Sequence, residues 1–176
     1  MSNETGGDAA PAASPWTARL ADAVKGSAVR EAAIAGIGGA AAIGFLAACE
    51  WASVTPLIIA PFGASCVLLF NVPGSPLAQP RNVIGGHVLC ALVGIAVLAT
   101  LGHTPLAMAA GVGLSIAAMR LTGTLHPPAG AVPIVIVAAG SPWWFVFAPV
   151  GVGATVLVIF AWFFHRFISG NAYPKA

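Results

Sequence analysis

The chain has 176 residues, of which 59% are apolar and 7% charged, with a net charge of +2 and a mean hydropathy of +0.93. Soluble domains carry about a quarter charged residues, so there are too few charges here to solvate a globular surface, and most of the chain must face lipid. The small positive balance, with no basic run interleaved with aromatics, excludes nucleic acid as a partner.

Residues 1–15, MSNETGGDAAPAASP, have the composition of a disordered polar tail and lack the basic start of a signal peptide. In residues 16–30, Trp16, Leu20 and Val24 recur every fourth position with Arg19, Asp22 and Lys25 between them. That pattern suits a short interfacial helix or, equally, a helical lead-in to the first span. A transmembrane domain is expected over 31–168, followed by a short tail over 169–176.

Six apolar segments follow one another: Glu31 to Glu50, Val54 to Asn71, Asn82 to Leu101, Pro105 to Met119, Leu121 to Gly140 and Trp143 to His165. The second, fourth and fifth are short or interrupted for a span of about 20 residues, so length alone allows four to six crossings. With the N-terminus cytoplasmic, six crossings place Arg19, Lys25, Arg30, Arg81, Arg120, Arg166 and Lys175 on that side. Glu50 and His103 are left near the other. Re-entrant second and fifth segments would move Arg81 and Arg120 outside, so the positive-inside rule favours six. Trp51, Trp143 and Trp144 then fall at the outer boundary and Trp162 and Tyr173 at the inner one.

Cys49, Cys66 and Cys90 all lie in apolar runs with no CxxC spacing and no ligand cluster beside them, and they read as small buried hydrophobes. No metal or other cofactor is expected.

The second and fifth segments repeat one another. "VTPLIIAPFGASCVLLFNVPGSP" aligns with "LTGTLHPPAGAVPIVIVAAGSP", matching Pro61 with Pro128, Gly63 with Gly130, Ala64 with Ala131, and Ser75-Pro76 with Ser141-Pro142. Two halves of three segments, 31–101 and 104–166, would insert upside down relative to each other, an inverted-topology repeat. The expected fold is therefore an all-α polytopic membrane protein of about six apolar segments, four full spans plus two Pro/Gly-broken helices.

Proline removes a backbone donor and glycine lets the chain bend, so "APFGAS" and "LHPPAGA" should break their helices, each break starting a new half-helix. The amides of Gly63, Ala64, Ser65, Gly130 and Ala131 are then expected at half-helix starts near the midplane, where dipole and free N–H groups suit a small anion. The alternative is that the prolines merely kink helices for close packing. Side chains near the breaks add to the anion reading. Ser65, Thr124 and His126 are candidate donors, and an ionisable group at membrane depth is a functional candidate by default. A neutral His126 bonded to a freed backbone carbonyl remains the plainer alternative. His87 has a similar claim, and Arg81 with Asn82 can gather anions or simply anchor the segment.

"APFGASCVLLF", "SPLAQPRNVIGGH" and "LTGTLHPPAGAVP" resemble the conserved blocks of the HPP family of integral membrane proteins, whose His-Pro-Pro motif would be His126, Pro127 and Pro128. The resemblance covers roughly Ala28 to Phe167. It implies four membrane spans, and it associates some members, from cyanobacteria and chloroplasts, with nitrite transport. The matching motif positions are Pro61 to Ser65, Gln79 to Asn82, Gly85 to His87 and Thr124 to Ala131.

A transporter or channel for a small inorganic anion such as nitrite is the leading expectation. A structural or assembly subunit packing on another membrane protein is the alternative. An enzyme is not expected, because Glu50 is the one carboxylate in the apolar core region and the histidines lack ligand spacing. The absence of an ATP-binding GxxxxGKS motif argues against self-powered pumping. Without targeting features at its N-terminus, a chain resembling bacterial members is expected in a bacterial inner membrane, both termini cytoplasmic, as a homo-oligomer (dimer or trimer) in the lipid bilayer.

Overall fold

The computed structural model describes residues 26–53 and 56–175. The expected tail over 1–15 and most of the 16–30 segment lie outside the described residues. Gly26 to Arg30 already belong to the first long helix.

Helix α1 (Gly26–Ser53) is alanine-rich and free of proline, and Pro56 marks its limit. The chain then runs without helix through Leu57 and Ile58 to Ile59, whose extended backbone (φ −129°, ψ 147°) precedes α2 (Ala60–Asn71). Glu50 holds this extended stretch: its Oε2 accepts from the amides of Leu57 (3.1 Å) and Ile58 (3.2 Å). A 3₁₀ turn over Pro76–Ala78, capped by the Ser75 hydroxyl accepting from Leu77 N–H, leads into α3 (Pro80–Leu101). Helix α4 (Pro105–Thr122) begins with Thr104 accepting from the Ala107 amide and ends at left-handed Gly123 (φ 65°), the usual glycine stop.

The fifth segment is built in three pieces: an extended entry through His126 (φ −137°, ψ 99°), a 3₁₀ turn over Pro127–Ala131 and helix α5 (Val132–Ala139) ending at left-handed Gly140. The sixth begins as a turn over Trp143–Val146. It bends at Ala148, whose backbone is extended before Pro149, and continues as α6 (Val152–Phe164) with a widened last turn over His165–Ser169. All regular structure among the described residues is helical.

Four helical stretches have the length and apolarity of membrane spans: 28–53, 80–101, 105–122 and 143–169. The two broken segments nevertheless run the whole depth of the bundle. Asn71, at the end of α2, lines one cavity of about 590 Å³ with Arg30, Ser169 and Lys175, so α2 finishes where α1 starts. Thr122 and Leu125 meet Arg81 and Asn82 at the start of α3, whereas Gly140 meets His103 beyond its end. The arithmetic agrees. A 12-residue α-helix covers about 18 Å and three extended residues about 10 Å more, close to the roughly 30 Å of hydrocarbon.

One end of the bundle thus gathers Arg30, Arg81, Arg120, Arg166 and Lys175, and the other holds Glu50 and His103 beside exposed Trp51, Trp143 and Trp144. Tyr173 departs from the expected interfacial role. It is buried, donating to the Ala78 carbonyl at 3.0 Å, and burial pushes its hydroxyl pKa up. The C-terminal segment is thereby folded back under the α2–α3 turn.

Long apolar side chains such as Ile37, Leu106, Leu114 and Phe163 point outward, as a lipid-facing surface requires. The core is closed by glycines on α3, α4 and α6. A Cβ on Gly111 would lie 2.8 Å from Pro133 Cβ, and one on Gly153 3.0 Å from the Leu57 carbonyl.

Ser115 Oγ on α4 is fully buried beside the Cys90 thiol and has no hydrogen-bond partner. Ser115→Ala removes an unpaired hydroxyl and improves helix propensity. The expected result is unchanged stability or a gain of up to about 1 kcal/mol, read from thermal unfolding in detergent; a clear loss would mean the hydroxyl has a partner after all.

Candidate functional site

The two broken segments meet at three fully buried side chains: Ser65 on α2, His87 on α3 and His126 at the entry to the Pro-Pro turn. Ser65 Oγ lies 2.9 Å from His126 Nε2, 3.5 Å from His87 Nε2 and 3.1 Å from the Pro61 carbonyl. The two imidazoles are 5.0 Å apart between ring centroids, inclined at 49°, and Phe62 packs edge-on against His87 at 5.2 Å.

Each element delivers its side chain for a local reason. Ser65 lies one helical turn after Pro61, so it faces inward with that residue. His87 Nδ1 donates to Val83 O at 2.8 Å, a carbonyl one turn earlier in its own helix. His126 is held extended by the following proline, and its Nδ1 donates to Leu77 O at 2.8 Å in the 3₁₀ turn. Gly86 makes the approach possible: a Cβ there would stand 2.8 Å from Thr124 O and 3.0 Å from His126 Cβ.

Because a carbonyl only accepts, both histidines carry their neutral-state hydrogen on Nδ1, and both Nε2 lone pairs point at Ser65. The cluster is rich in acceptors. Asn82 donates to Leu125 O at 2.9 Å and fixes the extended stretch that enters it.

The amide cradle expected from the sequence is not what the chain builds. Helix α2 starts at Ala60, so Gly63, Ala64 and Ser65 sit beyond its first three positions, where intrahelical carbonyls take their amides. Pro61 has no N–H, and Phe62 N–H is used on Ile59 O. On the other side Pro127 and Pro128 have none, Ala129 N–H bonds His126 O, and Gly130 with Ala131 lie inside the 3₁₀ turn. Gly63, Ala64 and Ala131 are exposed on the bundle's outside, and nothing lies within 4 Å of a Cβ built on Gly63 or Gly130. The prolines remove the donors that a helix start would otherwise offer an anion.

The remaining candidates are placed apart from the cluster. Arg81 is exposed and donates to Thr122 O at 2.9 Å, closing the α3–α4 end. Thr124 Oγ1 bonds Thr122 Oγ1 at 2.8 Å. Pro127 is exposed and Pro128 buried. The half-helices begin near mid-depth, but His87, seven residues into α3, is only about 10 Å in from the basic end.

Two further polar centres have no role assigned from the sequence. His165 is buried, its Nε2 donating to Leu69 O (2.8 Å) while the Ser169 hydroxyl caps its Nδ1 (2.6 Å). Gln79 donates to Pro73 O and Ser75 O and accepts from the Lys175 amide. The contacts that tie them across the fold, His165 to Leu69 and Gln79 to Lys175, each join residues 96 apart, which no local spacing announces. Cys49, Cys66 and Cys90 are free thiols, and no group of three metal-ligating side chains forms among the described residues.

A model of the family described as "HPP, transmembrane region" matches residues 24–174. Two curated relatives from Dictyostelium discoideum, each named a transmembrane protein, are similar to the chain. One is 40% identical over 126 residues, covering 67% of this chain and 44% of the relative. The other is 36% identical over 128 residues, covering 68% and 41%. The chain therefore spans less than half the length of these relatives. No solved structure matches.

Proposed function

The chain belongs to the HPP family of transmembrane proteins, and we propose that it carries a small inorganic anion, nitrite first among candidates, across the membrane where its two broken segments meet. The supporting observation is the buried contact between Ser65 of one segment and His126 of the other, at 2.9 Å. Buried ionisable groups at membrane depth are costly and mark solute paths. Irregular backbone there is tolerated where protein covers it or a cavity forms.

The segments traverse the bundle in opposite directions, which supports two inverted halves rocking about the cluster. With the cluster fully buried, this arrangement corresponds to an occluded state between two access states. The basic end is assigned to the cytoplasm, the membrane is a bacterial inner membrane, and copies assemble as dimers or trimers. On this reading the protein is a carrier, with no catalytic step.

Nitrite entry into proteoliposomes, against empty vesicles, tests the reading. We expect protein-dependent uptake, reduced at least about tenfold by Ser65→Ala, a loss of about 1.4 kcal/mol in passage. Gly130→Leu, whose side chain would enter open space, should leave uptake unchanged. Uptake equal to that of empty vesicles would overturn the transport reading and favour an assembly subunit.

A further inference from the structure

We propose that Ser65, His87 and His126 form a site for one proton, shared between the two histidine Nε2 atoms through the Ser65 hydroxyl. With both Nδ1–H groups committed to Val83 O and Leu77 O, the neutral cluster has a single hydroxyl hydrogen to share. Three acceptors surround it: Pro61 O, His126 Nε2 and His87 Nε2. Pro61 O also accepts the helical amide of Ser65, and the shortest contact takes the hydroxyl hydrogen to His126. His87 Nε2 is left buried at 3.5 Å from an oxygen with nothing more to give, a state that buried polar atoms rarely occupy.

One added proton satisfies every atom. Taken from a hydronium ion, which leaves as water, onto His87 Nε2, it donates to Ser65 Oγ, and Ser65 O–H donates to His126 Nε2. The charge can then pass on in one concerted shift. The His87 Nε2–H bond breaks as a bond to Ser65 Oγ forms, while the original Ser65 O–H bond breaks and hydrogen joins His126 Nε2. Atoms and charge are conserved, and the hydroxyl is restored. A second proton would place two imidazolium rings at 5.0 Å in a medium of low dielectric, where like charges repel strongly.

Among the described residues the surrounding elements bring no countercharge to this pair. On α2, Cys66 lies against Gly39 of α1. On α3, Arg81 is exposed at the end of the helix, and Cys90 neighbours Ser115 of α4. Arg120 of α4 is exposed. His165, after α6, faces Leu69 O, and Tyr173 faces Ala78 O. The 3₁₀ turn Pro76–Ala78 carries no titratable side chain. The carboxylates among the described residues lie elsewhere, Glu50 on the Leu57 and Ile58 amides and Glu31 in the cavity beside Arg30.

This deepens the transport reading and rests on it for its consequence: an anion reaching the cluster meets a positive site only when the proton is aboard, so anion and proton would travel together. The test does not require transport. Histidine-selective ¹⁵N NMR of the full chain in lipid nanodiscs is followed from about pH 8 to about pH 4, with signals assigned by His87→Gln and His126→Gln.

At high pH both cluster rings should show protonated Nδ1 and bare Nε2. On acidification the two should gain one proton between them in a single shared step, and Ser65→Ala should confine the charge to one ring. Two independent one-proton steps, or no protonation of either ring in folded protein, would overturn the proposal. Should the glutamine variants fail to fold, counting protons on the wild-type signals decides alone. Failed nitrite uptake with a shared proton would sink the transport reading only; uptake with independent histidines would sink this inference only.

Discussion

Gly86→Leu is expected to prevent the bundle from assembling, at a loss of more than about 3 kcal/mol, the upper range for forcing extra volume into a packed core. Local propensity predicts the opposite sign, because leucine is a better helix former than glycine by about 0.8 kcal/mol. Packing decides. The first added carbon at Gly86 would already lie 2.8 Å from the Thr124 carbonyl and 3.0 Å from His126 Cβ, and neither can swing away. Thr124 O is backbone, and His126 is tied to Leu77 O and Ser65.

Gly130→Leu is the matched control, since nothing lies within 4 Å of its Cβ position, and its stability should stay within about 0.5 kcal/mol. Denaturant titration of both variants in detergent, alongside gel filtration, reads the difference. Equal stabilities would show that α3 and the Pro-Pro segment are not packed at Gly86.

Hydropathy made the six segments legible, and charge parity made their directions legible. Arg30, Arg81, Arg120, Arg166 and Lys175 share one end of the bundle although two segments are too short to span as helices. Their missing length is supplied by extended backbone at Leu57 to Ile59 and Thr124 to His126, which prolines favour but a length count overlooks.

The site was half legible. Proline and glycine mark where the helices break, and Ser65, His87 and His126 each stand out in the sequence, but their meeting and the fate of the nearby amides do not. Helix boundaries decide which amides are free, and a start at Ala60 moves Gly63 to Ser65 out of that set. The resulting cluster presents lone pairs instead of donors, a property set by Val83 O and Leu77 O claiming the Nδ1 hydrogens. The second of those contacts joins residues 49 apart, and no local pattern encodes it. The same holds for Tyr173 and His165, whose partners lie 95 and 96 residues away.

Glu50→Ala is expected to destabilise the fold by about 2 kcal/mol, the scale of hydrogen bonds to a charged acceptor lost by one part-buried and one exposed amide. A single carboxylate oxygen takes the Leu57 and Ile58 amides, at 3.1 and 3.2 Å, just where the chain runs extended toward α2 and offers those N–H groups no carbonyl of its own. Leu57 is buried, with 6% exposure, and its carbonyl lies against Gly153, so α6 hinders this stretch from shifting to find new partners. Glu50→Gln keeps an amide oxygen able to accept both hydrogens and should lose only about 1 kcal/mol, the share owed to charge assistance. Amide hydrogen exchange at Leu57 and Ile58 separates the cases. Protection should collapse in the alanine variant and survive in the glutamine one, while α4, on the far side of the bundle, keeps its protection in both. Unchanged exchange in Glu50→Ala would mean that the extended stretch is held by packing against α6 and not by the carboxylate.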